Sequence, residues 1–228
     1  MQQVLTTAKR VEAVRLRIAE ACRISGRSLG DVTLVAVAKG FPAEAVREGA
    51  AAGLGQFGEN RVQEAQAKLP LLANLSPRPT WHMVGHLQTN KVKTALGLFD
   101  IIHSVDSPHL AEAISRRAPQ SVRVPVLLEV NVAEEAAKHG FSAEELPAQA
   151  EAIRRLPGLD VRGLMTVAPM TESPDQVRPV FRRLRGLAES LGLRELSMGM
   201  TDDFEVAVEE GATIVRVGRA IFGERSGR

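Results

Sequence analysis

The chain has 228 residues, of which 44% are hydrophobic and 25% are charged, as in soluble globular proteins with a sizeable core. The net charge of +2 is too small for a nucleic-acid-binding field, and no apolar run is long enough to cross a bilayer. The single cysteine, Cys22, excludes an intramolecular disulfide and favours a reducing compartment. We therefore expect a cytoplasmic protein that binds neither nucleic acid nor membrane, with residues 1–228 forming one domain.

The predicted elements alternate between strands and helices after a first helix at Val4–Cys22. Short runs rich in β-branched and other apolar residues predict eight strands, at Val32–Ala38, Leu54–Phe57, Thr80–Val84, Asp100–Ser104, Val124–Val130, Asp160–Met165, Glu195–Met198 and Thr213–Val217. Apolar residues at helical spacing predict the helices that follow them, at Ala43–Ala52, Val62–Ala73, Thr89–Leu96, Pro108–Ala118, Ala143–Leu156, Asp175–Leu191 and Asp202–Glu210. Glycine or proline separates most of these elements.

Strands that alternate with helices indicate a parallel sheet with crossover connections. Such a sheet is either a closed (β/α)8 barrel or an open doubly wound sheet. The count of eight strands favours the barrel, as does the lack of a Gly-x-Gly-x-x-Gly fingerprint after the first strand. In a barrel the active site lies at the C-terminal ends of the strands, so the residues that follow each strand are the candidates for function.

Lys39 ends a run of seven residues that contains no other charge. A lysine held at the end of a buried strand is close to apolar surface, and desolvation favours its free amine. A free amine can attack a carbonyl group and form a Schiff base. Lys39 therefore predicts carbonyl chemistry, but it does not by itself identify the partner.

Two glycine-containing loops follow the seventh and eighth strands. The first holds Ser197 and Thr201, with Thr201 or Asp202 as the expected N-cap of the next helix. The second holds Gly218 and Arg219 before a short helical turn. Each loop alone is better explained as a tight turn before a capped helix. Together, in this position of a barrel, they predict a phosphate site.

Arg216 is expected at the end of the last strand, among apolar neighbours. A buried arginine stays charged and needs a partner. That partner is either a barrel carboxylate such as Glu129 or an acceptor atom on a ligand. Asn60 follows the second strand, where a role as helix N-cap would be enough to explain it.

His82 and His86 are four residues apart, the spacing of a zinc-binding pair in metalloproteases. That spacing needs a helix, whereas this segment is predicted to be a strand followed by a glycine loop. We therefore predict no metal site, and we expect at least one of the two histidines to be satisfied within the core.

Five segments together resemble the pyridoxal phosphate homeostasis proteins, a family similar to the barrel domain of alanine racemase standing alone. The segments are Val35-Ala36-Val37-Ala38-Lys39, Gly58-Glu59-Asn60-Arg61-Val62-Gln63-Glu64, Trp81-His82-Met83-Val84-Gly85-His86-Leu87-Gln88-Thr89-Asn90-Lys91, Gly163-Leu164-Met165-Thr166 and Leu196-Ser197-Met198-Gly199-Met200-Thr201-Asp202-Asp203-Phe204. The resemblance extends over nearly the whole chain. It implies a single (β/α)8 barrel of the alanine racemase N-terminal type, with an extra N-terminal helix.

The resemblance also implies a cofactor, pyridoxal 5′-phosphate (PLP), and a role for each candidate residue. Lys39 would hold PLP as a Schiff base, Arg216 would face its pyridine nitrogen, and Asn60 would line the pocket near the ring. The phosphate would be held by Ser197, Gly199, Thr201, Gly218 and Arg219. An arginine at the ring nitrogen keeps that nitrogen unprotonated, which weakens the ring as an electron sink.

The implied function is intracellular PLP (vitamin B6) homeostasis, without catalysis, by a monomer that supplies PLP-dependent apoenzymes. A racemase-like enzyme with weak activity is the alternative, but the racemase needs a tyrosine base from a second domain, and this chain has no tyrosine. A histidine could replace that base. A Schiff-base aldolase is a third reading, although such enzymes usually carry the lysine later in the barrel. Ala38 and Gly40 stand where the family commonly has hydroxyl residues.

Overall fold

The computed structural model describes residues 5–120, 122–135 and 139–224, and eight parallel strands in it close into a barrel in chain order. The strands are β1 Thr33–Val37, β2 Gln56–Glu59, β3 Thr80–Met83, β4 Ile101–Val105, β5 Val124–Glu129, β6 Leu159–Met165, β7 Glu195–Ser197 and β8 Ile214–Val217. The barrel closes where β8 pairs with β1, with Arg216 opposite Val35. The predicted (β/α)8 barrel is confirmed.

The helices surround this barrel. They are α1 Thr7–Ile24, α2 Ala43–Ala51, α3 Val62–Lys68, α4 Val92–Leu96, α5 Pro108–Arg117, α6 Leu146–Arg154, α7 Arg178–Ser190, α8 Phe204–Glu209 and α9 Arg219–Phe222. The extra helix α1 buries Val11, Val14 and Ile18 on one face and packs against α2, α8 and α9. None of the helices in the described ranges has the length and apolar character of a membrane-crossing segment.

The core has two parts. A large apolar cluster fills the layer between the strands and the helices. A small cluster of Val35, Leu127, Met165 and Ile214 lies apart from it. Buried polar side chains, among them His82 on β3 and His103 on β4, also lie in the interior.

Several helices begin or end away from their predicted limits because of proline and local turns. The helix predicted at Val62–Ala73 ends at Lys68 and continues as a 3-10 turn over Leu69–Leu72. Pro70 lies in that turn and has no N–H to donate to the preceding helical turn. In the same way, the start of the helix predicted from Asp175 is a 3-10 turn, Pro174–Val177, and α7 begins at Arg178.

Candidate functional site

Lys39 lies immediately beyond β1, at the C-terminal mouth of the barrel. Ala38 before it is fully buried, and Lys39 itself is half-buried. Gly40 after it has a φ of +73°, a left-handed conformation that glycine adopts without strain. The N–H of Gly40 donates to Glu64 Oε2 at 3.2 Å, so the turn that carries Lys39 is tied to α3.

The strands on either side of β1 bring two candidate residues, Asn60 and Gly218, to strand ends beside that of Lys39. Val37 is opposite Gly58 on β2, so Asn60 follows the neighbouring strand end. On the other side, a Cβ atom on Gly218 would lie 3.1 Å from the carbonyl oxygen of Val37. Glycine at this position lets the end of β8 approach β1 closely, which brings the β8 loop to the mouth beside Lys39.

The sequence suggested Asn60 as the N-cap of α3, but Asn60 does not occupy that position. The cap position is Arg61, and no side chain accepts a hydrogen bond there. Asn60 instead lines a cavity of about 550 Å³ together with His86, Gln88 and Lys91. The chain passes so close at the end of β3 that a Cβ on Gly85 would lie 2.4 Å from the Asn60 carbonyl oxygen. Asn60 is therefore held at the cavity wall by backbone packing.

In the loop after β7, the residue at the N-cap of the next helix also differs from the prediction. Helix α8 begins at Phe204, its cap position is Asp203, and the Asp203 carboxylate accepts from the N–H of Met200. Neither Thr201 nor Asp202 caps the helix. Gly199 has a φ of +90°, and a Cβ there would lie 2.5 Å from that of Ala207, so this glycine lets the loop fold tightly onto α8.

Backbone donors are available in the two loops that were predicted to hold phosphate. Within the described ranges, the N–H groups of Thr201, Gly218 and Arg219 donate to no backbone acceptor. The side chain of Arg219 pairs with Asp202, which ties the β8 loop to the β7 loop. The two loops thus present unpaired N–H groups side by side, an arrangement that suits an anion.

Arg216 on β8 is buried, with 5% of its surface exposed. Within the described residues, its side chain donates hydrogen bonds to neutral oxygen atoms. Nη1 donates to Ser197 Oγ at 2.6 Å, and Nη2 donates to the Thr166 carbonyl at 2.8 Å. Burial lowers the pKa of Arg216 to about 10, against the opposing fields of Glu129 and Asp203. The guanidinium is therefore charged at neutral pH, and Glu129 acts on it through its field.

Ser197 lies deeper than the sequence suggested. Its side chain is fully buried at the end of β7, where Oγ contacts both Arg216 and His103 Nδ1, the latter at 2.9 Å. The hydroxyl is thus occupied by neighbours within the barrel. In this loop the groups available to an anion are therefore backbone N–H groups, whereas the Ser197 hydroxyl contacts Arg216.

His82 and His86, which the sequence raised as a pair, lie in different surroundings. His82 is buried and contacts Gln56 Oε1 and His103 Nε2, both at 2.8 Å, so the prediction of a satisfied core histidine is confirmed. His86 contacts Asp106 at 2.9 Å at the mouth. Sequence reasoning missed His103. Its signal was its place within the predicted strand Asp100–Ser104, although a strand assignment does not reveal what a side chain will contact across a barrel.

His86, Asp106 and His139 form the one group with metal-ligand chemistry found among the described residues, with donor atoms within 4.8 Å of one another. The rings of His86 and His139 stack at 4.3 Å with an angle of 16°. Ring-nitrogen lone pairs lie in the ring plane, so near-parallel rings direct them side by side instead of toward one ion. The pKa of nearby Glu129 is raised to about 6, first by burial and then by Asp106.

Residues 12–226 match the family model of the alanine racemase N-terminal domain. The chain is 44% identical to the pyridoxal phosphate homeostasis protein of Aquifex aeolicus, over 97% of this chain and 99% of that protein. It is 45% identical to the protein of the same name from Pseudomonas aeruginosa, over 96% of each chain.

Among solved structures, PipY of Synechococcus elongatus with PLP bound has a TM-score of 0.83 and 39% identity, over 95% of this chain and all 100% of that one. Alanine racemase of Corynebacterium glutamicum has a TM-score of 0.65 at 19% identity, over 92% of this chain and 60% of that one, a likeness of fold alone. The chain belongs to the family of pyridoxal phosphate homeostasis proteins, built on the barrel of the alanine racemase N-terminal domain.

Proposed function

We propose that the chain binds PLP at the mouth of its barrel and serves the intracellular homeostasis of this cofactor without being an enzyme. Lys39 supplies the amine for a reversible covalent bond. The observation that carries the proposal is the meeting of Lys39, the buried Arg216 and the unpaired loop N–H groups at neighbouring strand ends. The PLP-bound structure of a relative of 39% identity supports it.

The residues present suit the chemical groups of PLP. A guanidinium has five N–H donors, and Arg216 uses one on each Nη for Ser197 and Thr166. Donors therefore remain for an acceptor such as the pyridine nitrogen. The N–H groups of Thr201, Gly218 and Arg219, together with the tight turn at Gly199, suit a phosphate group. Asn60, at the cavity wall, would contact the ring.

The charge of Arg216 explains why this site would hold the cofactor without using it for catalysis. When bound, PLP supplies an electron sink, and the strength of that sink depends on protonation of its ring nitrogen. Because the guanidinium donates hydrogen bonds and keeps its charge at neutral pH, it opposes a proton on that nitrogen. The chain also has no tyrosine, the base that the related racemase uses.

The decisive experiment is reconstitution of the purified protein with PLP. We expect a visible absorption band that disappears on borohydride reduction, with the label on Lys39 by peptide mass spectrometry. Lys39→Arg should lose both the band and the label. The matched control is Lys91→Arg, because Lys91 lines the adjacent cavity and its replacement should leave both signals in place. A colourless wild-type protein that cannot be reconstituted would overturn the proposal.

We further propose that the loaded protein is a monomer that passes PLP to apoenzymes. Light scattering measures the first property. For the second, an apoenzyme should gain activity faster with loaded protein than with an equal concentration of free PLP. Equal rates would show release into solution without delivery.

A second candidate function, weak racemisation of amino acids, is favoured by one observation. His86 Nδ1 lies 2.9 Å from the Asp106 carboxylate, and a carboxylate partner of this kind orients an imidazole as a base. The loaded protein would then exchange the α-hydrogen of an amino acid with solvent deuterium, and His86→Ala would abolish the exchange. Sustained turnover would reject the non-catalytic reading.

A further inference from the structure

A line of hydrogen-bonded side chains crosses the inside of the barrel and ends at Arg216. It runs from Gln56 on β2 through His82 on β3 and His103 on β4 to Ser197 on β7. The successive contacts are 2.8, 2.8, 2.9 and 2.6 Å long. All its members except the half-buried Gln56 are buried. Polar groups buried in a barrel core need hydrogen-bond partners. In this line each side chain forms a hydrogen bond with the next one.

The residues at the two ends of this line determine which group donates and which accepts in each hydrogen bond. Arginine has only donors, so Ser197 Oγ accepts from Arg216. At the other end, Gln56 Oε1 can only accept, so His82 carries its proton on Nε2. His103 then donates from Nε2 to His82 Nδ1 and accepts from the Ser197 hydroxyl at Nδ1.

The reverse direction also fails at Ser197 Oγ. If His103 donated to Ser197, the serine oxygen would receive two hydrogen bonds, and its own proton would have no acceptor among the described residues. The forward direction satisfies every group with one proton on each imidazole. Neutral rings also agree with burial, which lowers the pKa of His82 to about 4 and that of His103 well below its usual value.

We infer that His103 is a positioning residue for Arg216, acting through Ser197. By accepting the hydrogen bond of the serine hydroxyl, the His103 ring leaves a lone pair of Oγ directed toward the guanidinium. Ser197 and the Thr166 carbonyl then hold Arg216 at two points. Because both histidines are neutral, they support the arginine without adding a second positive charge beneath it. This inference rests on the proposed function, in which Arg216 faces the ring nitrogen of PLP.

The test compares two variants of His103 with an exposed histidine as control. Leucine removes the acceptor at a similar volume, whereas asparagine can place its Oδ1 near the Nδ1 position. We expect His103→Leu to weaken PLP binding about tenfold, the effect of losing the hydrogen bond between Ser197 and the charged Arg216 that His103 supports. The pH profile of the bound-cofactor absorption should change as well. His103→Asn should restore most of both. His109→Leu, on the exposed face of α5, should change neither.

A double-mutant cycle separates positioning from a general loss of packing. Ser197→Ala should reproduce the effect of His103→Leu, and the double variant should be no weaker than either single one, because both break the same line. Additive losses would overturn the inference, as would wild-type affinity and pH profile in His103→Leu. Circular dichroism establishes that each variant is folded, and if the leucine variant is not, Ser197→Ala with the asparagine variant carries the test.

A measurement without cofactor keeps the inference distinct from the proposed function. Nitrogen-15 NMR of the histidine rings in the apo protein reports which nitrogen carries the proton. We expect Nε2–H for both His82 and His103, and an Nδ1–H on His103 would overturn the inference. If wild-type protein binds no PLP, the proposed function fails, and the NMR result still decides the direction of the line.

Discussion

Lys68 Nζ lies 2.6 Å from Glu59 Oε1 and also donates to the carbonyl oxygen of Ala38 at 2.8 Å. Both side chains are buried, that of Glu59 completely. Ala38 directly precedes Lys39, so this ion pair ties α3 and the end of β2 to the end of β1. Burial raises the pKa of Glu59, and Lys68 opposes that rise. The position of Lys39 thus depends on a second lysine, which is buried and ion-paired.

Replacing Lys68 by methionine should destabilise the protein by about 3–5 kcal/mol, because it leaves a buried carboxylate without its counter-charge. Urea unfolding at pH 7.5 measures the change. The control is Lys93→Met, at an exposed position of α4, which should stay within about 0.5 kcal/mol of wild type. The double change Glu59→Met and Lys68→Met should recover most of the loss, since no buried charge then remains. A double variant no more stable than Lys68→Met would contradict this account.

Acid should destabilise the fold through the buried histidines. Their folded-state pKa values lie below the ordinary 6.5, that of His82 at about 4, so the unfolded chain binds more protons between these values. The contribution of these histidines to stability is therefore fully present above pH 6.5 and is lost as the pH drops toward 4. The contribution of His82 alone is on the order of 3 kcal/mol.

The measurement is the free energy of unfolding in urea as a function of pH. A double variant with glutamine at positions 82 and 103 should show a flatter curve between pH 7 and pH 5, because glutamine does not titrate. The exposed His109→Gln should keep the wild-type slope. An unchanged slope in the double variant would assign the acid sensitivity to other groups.

Two glycine-to-alanine changes should have opposite effects. A Cβ on Gly163 of β6 would lie 1.8 Å from the carbonyl oxygen of Glu195, so alanine must push β7 away, at a cost of about 3 kcal/mol or more. A Cβ on Gly186, in α7, meets nothing within 4 Å, so alanine there should stabilise the helix by about 1 kcal/mol. Thermal unfolding measures both. Equal effects of the two changes on thermal stability would show that the backbone at Glu195 can move away from a Cβ at position 163 without cost.

Arg216→Glu should change the chemistry of bound PLP. A carboxylate at the ring nitrogen favours its protonation and strengthens the electron sink, so transfer of the amino group from added alanine to PLP should become measurable as a change in cofactor absorption. Arg194→Glu, at an exposed position, controls for the change in net charge. Unchanged reactivity in Arg216→Glu would count against a contact between Arg216 and the ring.

The local patterns of the chain predicted the elements well and their ends less well. Eight strands followed from β-branched runs between glycines and prolines, and they close the barrel. The N-cap predictions for Asn60, Thr201 and Asp202 were wrong, since the caps are Arg61 and Asp203. A polar residue before a helix suits both a cap and a binding loop, and only the path of the chain distinguishes these roles.

By itself the sequence determined the alternating strands and helices, the placing of Lys39 beyond the first strand and the two loops after the last strands, because these depend on short-range periodicity and turn residues. Tertiary structure alone decided that His82 and His103 meet, that Ser197 turns inward to Arg216 and that Lys68 anchors Ala38. These contacts join residues 21, 19 and 30 positions apart. The physical reason is barrel closure, which brings side chains from distant strands into one interior.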